Sequence, residues 1–236
     1  MKSLAVGAFT IGAPRKQNED GFTLLALPNK TNILAIADGV GGSSSGLLSS
    51  KIAIETIEEW INSNVLDITL PFYRTDEKLK QLVNSNPSTY SSLATTLTMV
   101  KIINNLITFA HVGDCRAYLM RGAGLKTLTS DQTEVQKLVE LGVLTKARLK
   151  DYKRSHVLLS ALGSSRKFEI QTGDFRAQPG DRLLLCSDGL YNAISKRKLV
   201  NLSKDTEKLD EFLFELHKLT LSSPLSDDAT VVAAQF

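Results

Sequence analysis

The amino-acid sequence predicts an α+β fold in which mainly antiparallel β-sheets combine with helices. Apolar, β-rich segments follow one another with only short hairpin-type separators between them, at 95–103, 104–112, 115–120 and 125–129. Apolar side chains recur at helical spacing in residues 46–62 and again in residues 206–221. Because strands joined by hairpins pair antiparallel, this pattern favours the α+β class.

The remaining segments fit the same pattern. Further strands are predicted at 3–11, 22–27, 33–37, 166–178, 181–186 and 229–236. Further helices are predicted at 76–84, 133–141, 145–150 and 196–202. Pro71 and Pro87 flank the first of these helices. The sequence has no internal repeat and no low-complexity linker, so we expect a single domain over residues 1–236.

The composition is that of an ordinary globular protein. Of the 236 residues, 42% are hydrophobic and 22% are charged, and the net charge is only +3. This balance, without an arginine-rich tract, gives no case for nucleic acid or a membrane surface as a partner. No apolar run approaches the length of a membrane span, and the N-terminus lacks the apolar core of a signal peptide.

Cysteine usage indicates a reducing compartment. The two cysteines, Cys115 and Cys186, lie far apart inside apolar runs, which favours buried, reduced thiols and a cytoplasmic protein. The sequence also shows no obvious spare apolar helix, so we expect a monomer.

One apolar strand ends in an acidic residue and a glycine turn. Residues 33–37 are all apolar, and Asp38 follows them directly, ahead of the glycine-containing run 39–42. A carboxylate buried beside such a strand is costly unless its charge is paired or binds a metal. An Asp-Gly pair is also an ordinary turn dipeptide, so this segment alone leaves both interpretations open.

Other acidic residues repeat this placement at strand ends. A second apolar strand ends in Asp188 and a glycine, Asp20 lies just before a strand, Asp227 and Asp228 open the last strand, and Asp114 lies in a tight turn. Each alone is typical of a turn, but the group favours a centre for Mg²⁺ or Mn²⁺, which prefer oxygen ligands. The histidines and cysteines are scattered without ligand spacing, which disfavours zinc.

Other phosphate-binding motifs do not fit. The glycine- and serine-rich run at 39–46 has Ser44 at the position where a dinucleotide-binding fingerprint has its third glycine. No Lys-Ser/Thr pair follows it, as a P-loop requires. Neither cysteine lies in a phosphate-cradling loop, which a thiol phosphatase requires.

Seven segments occur in an order that a known enzyme family shares. They are Arg15-x-x-Asn18-Glu19-Asp20, Asp-Gly-Val-Gly-Gly at 38–42, Ala-Thr-Thr at 94–96, Val-Gly-Asp-Cys-Arg-Ala-Tyr at 112–118, Leu-Thr-Ser-Asp-Gln-Thr at 128–133, Ser-Asp-Gly-Leu at 187–190 and Asp-Asp-Ala-Thr at 227–230. With these segments the chain resembles, nearly from end to end, the metal-dependent type 2C protein serine/threonine phosphatases in their compact bacterial form. Its departures include Ala94 for Gly, Gln132 for His and Asp228 for Asn.

The resemblance implies a fold and a metal site. The fold is a four-layer α-β-β-α sandwich, with two mainly antiparallel sheets flanked by helices and a two-metal site at one end. Asp38 would bridge two Mn²⁺ or Mg²⁺ ions, and the backbone carbonyl of Gly39 would bind one of them. Asp20 would serve one ion, and Asp188 and Asp227 would hold the other.

The resemblance also implies roles for residues around these ligands. Glu19 and Asp228 would contact the ligands without being ligands themselves, although Asp228 is also a possible substitute ligand. Asp131, together with Asp188, would offer a third ion a site, but the loss of the family's histidine at Gln132 weakens that expectation. The alternative for Asp131 is a cap for the helix predicted at 133–141.

The implied reaction is hydrolysis of phosphoserine and phosphothreonine in proteins by a metal-activated water. Asp38 and Arg15 would be the catalytic residues, with Arg15 holding the phosphate oxygens as a bidentate fork. Residues 142–165 resemble the family's flap. Their basic side chains would favour acidic phosphoprotein segments, although a solvated helical face is the simpler and favoured explanation.

The implied partners are phosphorylated proteins, including a cognate serine/threonine kinase whose action the enzyme would oppose. One alternative is a phosphatase of the stress- or sporulation-regulator type, which acts on small phosphorylated antagonist proteins. A second alternative is a non-catalytic domain that binds phosphoproteins. Lost metal ligands would mark that alternative, and none is lost in this sequence.

Overall fold

The structure is a computed structural model that describes residues 4–14, 17–41, 44–62, 67–145, 148, 152, 154 and 156–236. The strands are β1 Ala5–Ile11, β2 Asp20–Leu27, β3 Thr31–Val40, β4 Ala94–Thr95, β5 Leu97–Ile103, β6 Leu106–Val112, β7 Arg116–Arg121, β8 Gly124–Thr127, β9 Gln171–Arg176, β10 Arg182–Cys186 and β11 Ala229–Gln235. The helices are α1 Ser44–Ile61, α2 Leu70–Ser85, α3 Glu134–Glu140, α4 Asp188–Ala193, α5 Lys196–Asp205 and α6 Leu209–Leu221.

The strands form two sheets. Sheet A has the order β1-β11-β10-β7-β8, and sheet B has the order β2-β3-β5-β6-β9, with the short β4 paired to the end of β3. Every strand pair in both sheets is antiparallel. The α+β fold class with mainly antiparallel sheets, predicted from the hairpin signals, is therefore confirmed.

Strand β3 is apolar on both faces because it is covered on both faces. Leu34 and Ile36 belong to the core between the sheets, which Leu183 and Leu185 of β10 also line. The alternate residues of β3, from Ile33 onward, face a second core formed with α1 and α2. A strand buried on two sides reads as an unbroken apolar run, which is the pattern seen at 33–37.

A third core completes the sandwich on the far side of sheet A. Tyr118 and Leu184 of sheet A pack there against Phe212 and Leu216 of α6, with Leu199 of α5 beside them. The layers are therefore α1 and α2, sheet B, sheet A, and α5 with α6. This is the α-β-β-α arrangement that the sequence resemblance implied.

Several element boundaries differ from the predictions. Helix α2 begins at Leu70, well before residue 76, because Pro71 occupies the first helical turn, where its missing N–H costs nothing, instead of lying outside the helix. Helix α4 was not predicted, and the strand predicted at 166–178 is confined to β9. The helix predicted at 145–150 lies mostly outside the described residues. Within the described ranges, no helix combines the length and apolarity needed to cross a bilayer.

Candidate active site

Two acidic side chains face each other across sheet B. Strands β2 and β3 pair in a register that sets Asp20 directly opposite Asp38. Like charges at directly opposed positions of an antiparallel pair destabilise the sheet. Among the described residues, neither carboxylate forms an ion pair with a lysine or arginine. This pair therefore needs protons or a bound cation to be stable.

The peptide group of Asp38 is held by two threonines. The Asp38 N–H donates to Thr96 Oγ1 at 2.9 Å, and the Asp38 carbonyl accepts from the Thr95 hydroxyl at 2.9 Å and from the Thr96 N–H at 2.8 Å. The interruption between β4 and β5 at Thr96 permits these bonds. The Ala-Thr-Thr segment noted in the sequence thus fixes the end of the strand that carries Asp38.

The end of β3 also lies unusually close to the start of α1. A Cβ on Gly39 would lie 2.0 Å from the carbonyl oxygen of Gly46, and a Cβ on Gly46 would lie 2.9 Å from the carbonyl oxygen of Gly39. No side chain fits at either position without moving backbone. These glycines keep the Gly39 carbonyl, a predicted ion ligand, free of side-chain cover.

Sheet A contributes three more carboxylates at the same end of the sandwich. Asp188 begins α4 two residues after the end of β10, Asp227 lies two residues before β11, and Asp114 lies two residues before β7. Strands β7, β10 and β11 run antiparallel, with Cys186 opposite both Arg116 and Val231. The three carboxylates that flank these residues therefore lie at the same end of sheet A.

Ser187 joins the two sheets at this edge. Its hydroxyl donates to Asp20 Oδ2 at 2.7 Å and accepts from the Thr230 N–H at 2.9 Å. Ser187 is fully buried, and Gly189, two residues further on, packs against the backbone of Asp227 and Asp228. A Cβ on Gly189 would lie within 2.6 Å of both of those carbonyl oxygens.

Burial and mutual repulsion raise the pKa values of four carboxyl groups, those of Asp20, Asp38, Asp114 and Asp188. Desolvation is the largest cause at each one. The pKa of Asp20 rises to about 8, that of Asp114 to about 7 and that of Asp188 to about 6. The pKa of Asp38 lies well above its usual value because of burial and then the charges of Asp20, Asp188, Asp114 and Asp227. Without a cation, the group therefore holds protons near neutral pH.

The donor set fits a hard divalent cation. Asp188 Oδ1 is buried without a hydrogen-bond partner, and such an oxygen is costly unless something outside the described residues binds it. Oxygen ligands are those that Mg²⁺ and Mn²⁺ prefer, and their charge would reverse the pKa shifts. Within the described ranges, no group of three or more acidic, histidine or cysteine side chains is arranged closely enough to hold a metal ion. The carboxylates instead line an open acidic rim, defined as Asp20, Asp38, Asp114, Asp188 and Asp227.

Asp131 is engaged elsewhere. Its carboxylate accepts two short bonds from Arg116, from Nε at 2.9 Å and from Nη2 at 2.6 Å. The same guanidinium group lies 3.5 Å from the ring centre of Tyr191 and donates to the hydroxyl of Tyr118. The predicted third-ion role of Asp131 thus competes with a bidentate ion pair. Asp114, one of the strand-end acidic residues noted in the sequence, carries a charge that helps to raise the pKa of Asp38.

Two other predicted site residues have mixed outcomes. Glu19 lies at the rim, where its carbonyl accepts from the Gly39 N–H at 3.2 Å. Arg15 lies outside the described residues, so its role stays a prediction. Its neighbour Asn18 is placed: the side-chain amide donates to Thr10 Oγ1 at 2.7 Å, and the side-chain carbonyl accepts from the Asp20 N–H at 2.9 Å.

Asp228 is buried beneath the rim. Its Oδ1 accepts from the Ala13 N–H at 2.7 Å, and its Oδ2 accepts from the Glu19 N–H at 2.8 Å. Both carboxylate oxygens are therefore bonded to backbone. This arrangement agrees with the predicted contact to the ligand-bearing segments and leaves a role as substitute ligand without support.

The described part of the flap, residues 142–165, touches the site through backbone. Thr95 and Leu162 exchange two backbone hydrogen bonds, at 3.1 and 2.9 Å. Of the basic residues expected to attract acidic substrates, Arg154 is in a bidentate pair with Glu134, to which Tyr152 also bonds. Lys146, Lys150 and Lys153 lie outside the described residues.

An α-β-β-α sandwich with an acidic rim spanning both sheets is the architecture of a metal-dependent protein phosphatase. A family model described as protein phosphatase 2C matches residues 15–226. The chain is 30% identical over 208 residues to the serine/threonine phosphatase stp of Listeria monocytogenes, covering 85% of this chain and 82% of that protein. The chain belongs to the protein phosphatase 2C family, and it is a protein serine/threonine phosphatase.

Solved structures agree. The serine/threonine phosphatase of S. agalactiae superposes with a TM-score of 0.90 at 25% identity, covering 98% of this chain and 99% of that one. The catalytic domain of the phosphatase PstP, determined in complex with two manganese ions, superposes with a TM-score of 0.81 at 28% identity, covering 98% of this chain and 97% of that one. The prediction of Mn²⁺ or Mg²⁺ as cofactor is confirmed at the level of the family.

Proposed function

We propose that Asp20, Asp38, Asp188 and Asp227, with the backbone carbonyl of Gly39, hold two Mn²⁺ or Mg²⁺ ions at the acidic rim. The observation that carries this proposal is the register of β2 and β3, which sets Asp20 against Asp38 without a neutralising side chain among the described residues. The buried, unpartnered Asp188 Oδ1 on the opposite sheet supports it independently. Asp38, central in this set, is the bridging ligand of the proposal.

The ions, when bound, supply an activated water and neutralise charge on the phosphate. The protein's own part is to hold the carboxylates in place: Thr95 and Thr96 fix the Asp38 peptide, and Ser187 fixes Asp20. Arg15 is proposed to bind the phosphate oxygens, since a guanidinium fork matches two of them. Its place in the sequence, five residues before Asp20, supports this role.

We further propose phosphoserine- and phosphothreonine-containing proteins of the cytoplasm as substrates, including a cognate kinase, for a monomeric enzyme. The ligand set, which retains every acidic residue of the family motifs, argues against the non-catalytic alternative. No observation in the described residues favours the stress- or sporulation-regulator alternative over the kinase-opposing enzyme.

The test is phosphate release from a phosphothreonine peptide. The wild-type protein should release phosphate with Mn²⁺ and lose that activity when the metal is chelated. Asp38→Asn should lose the activity, and Asp181→Asn, the matched control, should keep it. Asp181 is also buried, and it is bonded to backbone and arginine, but it lies away from the rim. Unchanged turnover in excess chelator would refute the metal mechanism.

Arg15→Ala tests the phosphate-binding role separately. We expect KM for the phosphopeptide to rise by about tenfold or more while the Mn²⁺ dependence is unchanged, since a charge-assisted bidentate contact contributes at least about 1.4 kcal/mol. Lys16→Ala, next in sequence, is the matched control and should leave KM within about twofold. Equal effects of the two substitutions would remove Arg15 from the site.

A further inference from the structure

Asp228 departs from the family pattern at a position where the chemistry of the side chain matters. This chain has Asp there, and the motif that the sequence resemblance implies has Asn. An Asp carboxylate offers two acceptor oxygens, whereas an Asn amide offers one acceptor oxygen and one NH₂ donor. The two side chains have nearly the same shape, so the difference lies in the hydrogen bonds that each can accept.

The structure uses both acceptor oxygens of Asp228. Oδ1 accepts from the Ala13 N–H at 2.7 Å and Oδ2 accepts from the Glu19 N–H at 2.8 Å. Asp228 itself is only 4% exposed. Among the described residues it forms no ion pair, so these two N–H groups are what stabilise its buried charge. An Asn amide would satisfy one of them and point its NH₂ group at the other.

The two donors bracket one functional segment. Ala13 lies two residues before Arg15, and Glu19 is next to Asp20. Asp228 is next to Asp227 and just ahead of β11. One side chain therefore joins the first sequence motif to the last, across more than 200 residues of chain.

A second, neutral network runs beside this contact. The hydroxyls of Thr10 and Thr230 lie 2.7 Å apart, and Asn18 donates to that Thr10 hydroxyl at 2.7 Å. This network holds the loop near Asn18 but does not reach the Ala13 N–H. The N-terminal end of the loop depends on Asp228.

We infer that Asp228 is a positioning residue, whose carboxylate holds the backbone at Ala13 and at Glu19, on the two sides of Arg15 in the sequence. This pair of bonds is specific to the carboxylate, so restoring the family's own residue, Asn, impairs this enzyme. The kinetic part of this inference rests on the proposed role of Arg15, whereas the structural part does not.

The structural part is tested by amide hydrogen exchange, measured by NMR in the presence of Mg²⁺. In the wild-type protein the Ala13 and Glu19 amides should exchange slowly. Asp228→Asn should speed exchange at one or both by about tenfold or more, since a buried donor is left unpaired. Asp228→Ala should speed exchange at both. Asp181→Asn, the matched buried aspartate, should leave both amides unchanged.

The kinetic part is tested on a phosphothreonine peptide with saturating Mn²⁺. For Asp228→Asn we expect kcat/KM to fall by about tenfold or more, mainly through KM, because a displaced binding loop weakens phosphate binding. The Mn²⁺ concentration for half-maximal activity should also rise, because the Asp228 charge acts on Asp20 and its removal weakens the attraction for a cation, although Asp228 is not an ion ligand in this inference.

Two results would overturn the inference. One is fast exchange at the Ala13 and Glu19 amides of the wild-type protein, a measurement that decides the matter even where a variant fails to fold. The other is an Asp228→Asn variant with unchanged exchange and Mn²⁺ affinity weakened by about tenfold or more, which would make Asp228 an ion ligand. Absence of phosphatase activity in the wild-type protein would refute the proposed function and leave the exchange test standing.

Discussion

Asp38→Asn should affect stability with opposite signs in the absence and presence of metal. Asp38 faces Asp20 across the β2–β3 pair. Two unit charges about 5 Å apart repel by about 3 kcal/mol at an effective dielectric constant of about 20. Protonation already relieves part of this repulsion, because burial raises the pKa of both groups. Removing one carboxylate should therefore stabilise the chelated protein by about 1–3 kcal/mol.

The assay is thermal unfolding at pH 7.5 in chelator and in excess Mn²⁺. For a chain of this size, about 1–3 kcal/mol corresponds to a rise in Tm of about 2–12 °C for Asp38→Asn in chelator. With Mn²⁺ at about 1,000 times its Kd the order should invert, because the ion then stabilises the wild-type protein by about 4.1 kcal/mol, which exceeds the variant's advantage, and the variant binds the ion weakly. Phosphate release by the variant should fall by at least about a hundredfold.

The sign of the pH dependence follows from the same pKa shifts. A carboxyl group whose pKa is raised in the folded state contributes stability at low pH that is lost as the pH rises through its folded pKa. For Asp20 this loss falls between its ordinary pKa of 3.8 and about 8. In the thermal unfolding assay, the control Asp181→Asn should instead lower Tm both in chelator and in excess Mn²⁺. The reasoning is refuted if Asp38→Asn lowers Tm in chelator and keeps the Mn²⁺-induced rise.

Three further changes test other parts of the site. Gly189→Ala should weaken Mn²⁺ binding and activity by about tenfold or more, measured by Mn²⁺ titration, because the new Cβ would lie 2.2 Å from the Asp228 carbonyl oxygen. Gly124→Ala is the control for an added Cβ without a clash, because its Cβ would lie 3.4 Å from the Arg121 carbonyl oxygen, an ordinary contact. His111→Gln should reduce the loss of stability at acid pH. Burial lowers the pKa of His111 to about 4, so the free energy of unfolding of the wild-type protein falls by up to about 1.4 kcal/mol per pH unit below about pH 6.5. A variant whose free energy of unfolding falls with the same slope would contradict this. Arg116→Lys should lower the free energy of unfolding by about 1–3 kcal/mol in urea titrations, since lysine replaces neither the bidentate pair with Asp131 nor the stacking on Tyr191. An unchanged free energy of unfolding would mean that the pair does not stabilise the fold.

The sequence predicts an element correctly where the order of apolar and polar residues reflects how that element is buried. The apolar run at 33–37 predicted β3 because a strand covered on both faces has no polar side. The helical spacing in 46–62 predicted α1, which the structure places at Ser44–Ile61. Asp38 and Asp188 could be selected as candidate ligands because each follows such a strand directly.

The remaining features depend on pairing that no local pattern records. The opposition of Asp20 and Asp38 is a matter of register between two strands, and Asp114 joins the rim only because β7 pairs with β10. Helix α4 was missed because its six residues are too few to show helical periodicity. Ser187 could have been suspected from its place in the Ser-Asp-Gly-Leu segment, but its partner Asp20 lies 167 residues away.

The motif residues that are not proposed ligands have a common physical task. Thr96 bonds the peptide of Asp38, Asn18 bonds that of Asp20, and Ser187 bonds the Asp20 carboxylate. Buried carboxylates repel one another and would separate unless each were held from its own side. A site built from two sheets therefore needs these supports as much as its ligands. This explains why the segments are longer than the ligands alone require, and why a change of hydrogen-bonding capacity at Asp228 matters although its shape is nearly that of Asn.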